Sequence, residues 1–358
     1  MKTTFIVLLN TLISYEGNEK HVKIPDTVKR IGDHSMFRSK TETIEMPDNV
    51  TVIEPAAFAV SKNLKHIRLS ENLTEIGRNA FSSCINLEEI TIPSSVEKIE
   101  KSAFSSCKKL KKIVIPDTVK EILPGAFQGC EGLADKNGFV IIRNVLYSYH
   151  GTETKLKIPD GISEISYRAF SGNKNLEEVI IPESVTKICK NAFAGCKKLK
   201  KIIIPDSVKE ILPGAFQDCD SLADKKGFVI IRNILYNYYG KEKEVVVPDG
   251  VTDISTRAFS LCETIESVTL PDTLINIWNS AFSNCKNLET IEIPESVRNI
   301  EDLSFCGCEN LQSIVIPETL KKISADAFLA CPELCIYAPL CSYGHKYAYH
   351  FGIAYMDI

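Results

Sequence analysis

The chain has 358 residues, 44% hydrophobic and 25% charged, a composition ordinary for a folded protein rather than a disordered one. A net charge of −4 and a pI near 6.0 leave no basic footprint for nucleic acid or an anionic membrane, so neither is expected as a partner. No apolar run approaches the ~18 residues a membrane span needs, and no linker, charge block or low-complexity stretch interrupts the sequence.

Residues 1–20 begin with Met1–Asn10, which has the charged start and apolar core of a secretory leader. Yet Phe5–Gly17 matches Phe139–Gly151 position for position, and each phenylalanine stands 20 residues before an Ile-Pro or corresponding anchor, at Pro25 and Pro159. No small-residue cleavage site follows. The segment is therefore expected to be a β-hairpin that caps the array.

Residues 21–134 show a repeat of about 23 residues, clearest in Leu87-x-x-Ile90-x-Ile92-Pro93-x-x-Val96-x-x-Ile99-x-x-x-Ala103-Phe104-x-x-Cys107-x-x-Leu110. A fixed period of this size is the signature of a solenoid, in which a repeat buries its inner face only against its neighbours. Alternation around Ile90 and Ile92 predicts a strand with Glu89 and Thr91 outward. Pro93 ends that strand, because proline lacks the ladder N–H and holds the preceding residue extended. Val96 and Ile99 continue a short extended stretch, and Ala103-Phe104-x-x-Cys107 reads as one helical or 3₁₀ turn.

The anchor recurs through twelve repeats, from Pro25 to Pro317, with Ser70 in one anchor position. Two anchor gaps widen to 43 residues and contain the segments 135–155 and 224–244. In each, two β-rich runs flank an Arg-Asn pair, the pattern of a hairpin. Residues 111–150 differ from 200–239 at only nine positions, so an 89-residue unit has been duplicated, hairpin included. Residues 156–223 and 245–334 hold the remaining repeats.

Residues 335–358 read as a C-terminal cap, with Pro339 in the anchor position, a helix over 340–350, Gly352 as its C-cap and a last short strand near Ile353–Tyr355. The whole chain, 1–358, is thus expected to be a single repeat domain that grows by stacking.

The phenylalanines from Phe58 to Phe328 share one frame position and are expected to form a core ladder, each burial contributing roughly 1.5 to 3 kcal/mol. Most of the thirteen cysteines, from Cys84 to Cys331, also share one position, which suits small buried thiols rather than disulfides. Cys331, Cys335 and Cys341 lie near His345 and His350, leaving a zinc site or a cap disulfide as alternatives there. Nucleotide-binding, nucleophile-elbow and zinc-protease motifs are all absent, and the six histidines are scattered. No catalytic residues and no cofactor are expected.

The Leu-x-x-Ile-x-Ile-Pro, Val-x-x-Ile and Ala-Phe-x-x-Cys-x-x-Leu motifs, together with the ending Ile336–Ala348, resemble the bacterial surface leucine-rich repeats called BspA-like, or Treponema-type. The resemblance covers essentially the whole chain. It implies an α/β solenoid, a right-handed superhelix with a parallel concave sheet and short convex helical turns, to which the inserted β-hairpins are added. It also implies adhesion or protein binding rather than catalysis, with a host or extracellular-matrix protein as one expected partner class and a cell-surface or secreted location. The hairpin reading of residues 1–20 and the free thiols point the other way on location.

On such a sheet the variable outward positions carry recognition. The column just before each Ile-Pro includes Arg68, Thr91, Val114, Lys157, Ile180, Ile203 and Val246, in which apolar side chains occupy solvent-facing places. The next column is polar, with Glu89 beside Lys112 and Glu178 beside Lys201 one layer on. Tyr147 and Tyr236 of the hairpins form a second candidate surface, tyrosine being enriched at interfaces, with packing against the flank of the solenoid as the other reading of the same residues. The leading expectation is a binding surface on the concave sheet. The alternatives are a self-associating structural array and, more remotely, a metal-binding cap.

Overall fold

The computed structural model describes residues 4–358. It is a parallel-strand β-solenoid with two strand columns. Each repeat gives a three-residue strand such as Glu89–Thr91, then a turn, then a two-residue strand such as Lys98–Ile99. In the first column Ile90 is buried between outward Glu89 and Thr91, as period-2 alternation requires. The turn closes through Val96 N–H donating to the Pro93 carbonyl at 3.1 Å. Register follows the repeat: Glu89, Ile90 and Thr91 pair with Lys112, Ile113 and Val114, and Lys98 pairs with Glu75 on one side and Glu121 on the other.

The Ala-Phe-x-x-Cys segment is not helical, which corrects the α/β expectation. Among the described residues helix is confined to Tyr343–Phe351 and the 3₁₀ turns Glu131–Leu133 and Asp220–Leu222. The reason lies in the backbone between Glu100 and Cys107. Ser102 and Ser106 have φ of 57° and 61°, left-handed values that occupy the third place of two successive turns, Glu100–Ala103 and Phe104–Cys107. Each left-handed residue stops helix propagation. As a result N–H groups alternate: Ala103 and Cys107 donate within their layer, to Glu100 and Phe104, while Phe104 and Ser106 donate to Ala126 and Gln128 of the next layer. The outer wall is thus hydrogen-bonded between layers, as the sheets are.

Inside, the phenylalanine ladder is present. Phe58, Phe81, Phe104 and Phe127 stack at centroid separations of 5.1, 5.2 and 5.5 Å with nearly parallel rings. Met36 takes the ladder position one layer earlier and is buried. At the far end Tyr347 of the cap helix packs edge-on against Phe328 at 5.9 Å, and its hydroxyl donates to the Ser324 carbonyl at 3.2 Å. That helix begins at Ser342, whose hydroxyl accepts the His345 N–H, and ends at Gly352 with φ of 66°. Ala354–Met356 then pairs with Cys335–Tyr337 as the last strand.

The hairpins divide the array. Phe139–Ile142 and Val145–Tyr149 pair antiparallel, and the second strand joins the two-residue column through Val145 with Glu164 and Leu146 with Ile165. Thr4–Leu8 with Thr11–Glu16, and Phe228–Ile231 with Ile234–Tyr238, do the same. The first column is not the continuous twelve-strand sheet expected from the repeat count: it runs in segments of three, two, three and six strands. The internal hairpin layers, which contribute no three-residue strand, make the last two breaks, whereas the first falls between the adjacent repeats of His66–Arg68 and Glu89–Thr91. The core divides at the two internal hairpins into three clusters.

Candidate functional site

The outward face of the first column holds the residues expected to bind. Ile180 and Ile203 lie side by side, paired in register between Glu178–Ile180 and Lys201–Ile203. Ile203 is 42% exposed, and Ile180, flanked by Lys157 and Ile203, is half-buried. Beside this pair runs a charge ladder in which Glu178 receives Lys201 at 3.0 Å and Lys155 at 3.8 Å. The hydrogen bond from Lys201 holds the Glu178 carboxyl below its ordinary range, so this carboxylate keeps its charge to lower pH than a solvated glutamate. The result is a short aliphatic strip with a charged border.

The other expected strip residues are not contiguous with it. Val114 pairs with Thr91 in the two-strand segment, and Glu89 faces Lys112 beside them. Val246, 66% exposed, opens the six-strand segment and pairs with Thr269. Each of these segments ends at an internal hairpin, so the column from Val114 to Val246 is three patches rather than one strip. Arg68 is held down, donating to the Met46 carbonyl at 2.9 Å and to Asp48 at 2.9 and 3.0 Å. Lys157 stays exposed, 3.5 Å from Asp160.

Tyr147 and Tyr236 are core residues, which corrects their reading as a surface. Tyr147 is 2% exposed and Tyr236 fully buried, each packed edge-on against the last phenylalanine of the preceding block. The strand that carries each ring lies between two apolar block ends, so neither tyrosine is free for a partner.

The C-terminal thiols do not converge. Cys331 donates to the Phe305 carbonyl at 3.1 Å, Cys335 lies in a strand, and Cys341 is exposed. His345 Nδ1 accepts the Cys341 backbone N–H at 3.2 Å and its ring meets Tyr355 edge-on at 4.7 Å. Among the described residues no three His, Cys, Asp or Glu side chains are grouped as a metal site, and all thirteen cysteines are unpaired. No described helix is long and apolar enough to cross a membrane.

Two features escaped the reading of the sequence. The two-residue strands present their own outward column, where Lys187 pairs with Glu210 at 2.9 Å and Asn299 donates to Asn276 at 3.0 Å. A stretch of two residues is too short for alternation to reveal. The second feature is Arg143, which reaches back from its hairpin to the Pro116 and Val119 carbonyls, as Arg232 does to Pro205 and Val208. The duplicated Arg-Asn pair was the available signal for it.

A family model described as a BspA type leucine-rich repeat region matches residues 12–134, 140–226 and 229–339. Among solved structures the chain is similar to a leucine-rich cell surface protein from Faecalibacterium prausnitzii, at 29% identity and TM-score 0.44, covering 99% of this chain and 92% of that one. It is also similar to a leucine-rich repeat protein from Eubacterium ventriosum, at 26% identity and TM-score 0.46, covering 83% and 88% respectively. A leucine-rich repeat protein of T. pallidum matches at 26% identity and TM-score 0.32, covering 59% of this chain and 89% of its own. No curated protein matches the chain.

Proposed function

The chain belongs to the BspA-type leucine-rich repeat family, and from that premise we propose that it is a non-enzymatic protein-binding solenoid whose first strand column is the recognition face. The observation that carries this reading is the Ile180–Ile203 pair. Two large aliphatic side chains stand in register on a solvent-facing sheet, bordered by the Lys155–Glu178–Lys201 ladder. An apolar centre with a charged rim matches the anatomy of a protein interface: burial of the centre supplies affinity, while the rim sets orientation and partner choice. Adhesion to a host or extracellular-matrix protein is the form of this function the family resemblance implies.

The test is affinity capture from host and self lysates with the parent protein and with Ile180→Glu/Ile203→Glu. Both side chains point away from the core, so the variant is expected to keep its circular dichroism and unfolding midpoint while losing at least tenfold in affinity for a captured protein. A variant that bound the same protein as tightly as the parent would remove the recognition face from this pair.

A further inference from the structure

Each internal hairpin has two apolar faces with different neighbours. Val140 and Tyr147 are packed into the core of the preceding block, with Ile142 and Val145 beside them, whereas Phe139, Leu146 and Tyr149 belong to the following block. The other internal hairpin repeats the division: Val229 and Tyr236 face back, Phe228, Leu235 and Tyr238 face forward. The backward face is therefore a plug that seals the end of a block. Tyr147 meets Phe127 and Tyr236 meets Phe216 at the same 5.3 Å and 86°.

The N-terminal hairpin has the same forward face, with Leu12 buried and Phe5, Val7 and Tyr15 packed on the first block. Among the described residues nothing packs on its backward face. The places of Val140, Ile142 and Tyr147 are taken by Ile6, Leu8 and Ile13, which are 44%, 63% and 47% exposed. Leu9 at the adjoining turn is 89% exposed. Single exposed aliphatics are ordinary, but four gathered on one hairpin, three of them at places that are buried or half-buried in both internal copies, mark a contact surface.

Two observations select what covers it. Arg143 and Arg232 hook the internal hairpins to carbonyls of the block they seal. Leu9 stands in that position and has no donor, so this hairpin lacks the hook for the end of a repeat block. The far end of a second copy is in any case closed, by the helix Tyr343–Phe351 with Tyr347 on Phe328. The surface that does match is an uncharged aliphatic face of the same kind. Leucine in place of arginine also removes the like charges that a two-fold axis would bring together.

We propose that the N-terminal hairpin is a homodimerisation face, in which Ile6, Leu8, Leu9 and Ile13 of two copies pack across a two-fold axis. The contact is isologous and closed, so it yields dimers and not filaments. It leaves both recognition faces of the pair open, making the assembled protein bivalent.

Sedimentation velocity over a wide concentration range tests this. The parent is expected to show a reversible monomer–dimer equilibrium, and Ile6→Glu/Ile13→Glu to raise the dimer Kd at least tenfold. Leu9→Arg, which restores the residue both internal hairpins carry and so suits the hairpin fold, is expected to weaken the dimer as well. Ile180→Glu/Ile203→Glu should leave it unchanged. A parent that stayed monomeric at every concentration, or a dimer indifferent to both hairpin variants, would overturn the proposal. So would a monomeric parent that floated with phosphatidylcholine–phosphatidylglycerol vesicles, since the face would then belong to a lipid surface.

Discussion

The Cys107 thiol donates to the carbonyl oxygen of Phe81, 3.2 Å away and one layer back. That same carbonyl accepts the Cys84 N–H at 3.1 Å, so one oxygen closes a turn in its own layer and holds the side chain of the next. Cys84 to Phe58 and Cys130 to Phe104 repeat the bond, and at the start of the array Ser61 hydroxyl takes the place of the thiol, donating to the Met36 carbonyl at 2.9 Å. The column is thus chosen for a small buried group that can donate, and not only for apolar volume.

A dependence of stability on alkaline pH follows. Burial pushes the Cys84 and Cys130 thiols from an ordinary value of 9.0 up to about 12, because a thiolate there would be desolvated. The unfolded chain ionises first, so the contribution of these thiols is fully present below about pH 9 and is lost as pH rises toward 12. Urea midpoints should therefore fall between about pH 8 and 10.5, and Cys84→Ser/Cys130→Ser should flatten that fall. Equal slopes for parent and variant would contradict the assignment.

Phe104→Ala should be among the most damaging single changes. The ring is fully buried and stacked on both sides, at 5.2 and 5.5 Å, so its removal leaves a cavity that two neighbouring layers cannot close. A loss of about 3 to 5 kcal/mol is expected by chemical denaturation, with Phe104→Leu retaining much of it. A loss below about 1 kcal/mol would mean that the layers slide to refill the gap.

Gly138→Ala probes the hairpin junction. Gly138 has φ of 88°, and a Cβ there would collide with the backbone of Gly151 where the two ends of the hairpin close. The substitution is expected to destabilise by more than about 1 kcal/mol and to speed amide exchange in 139–149 ahead of the repeats around it. Gly227, with φ of 89° against Gly240, should respond alike, whereas Gly172, with open space around it, should show only the backbone cost. Uniform exchange across all segments would remove the junction as a separate element.

How much of this was legible in the sequence depends on distance along the chain. The period, the strand alternation, the register, the aromatic ladder and the thiol column follow from the sequence alone, because stacking brings each frame position against its own kind one layer away. The helical turn did not survive, since left-handed residues such as Ser102 and Ser106 look like ordinary serines until their φ is seen. Tyr147 and Tyr236 could be read as surface or as packing: a hairpin's alternation says that it has two faces, but not what each face meets. Only the tertiary structure decided that, by inserting both internal hairpins between apolar block ends, which buries both faces and interrupts the first strand column. The N-terminal hairpin keeps the same alternation, yet among the described residues its backward side chains Ile6, Leu8 and Ile13 stay exposed, a difference that alternation by itself does not reveal.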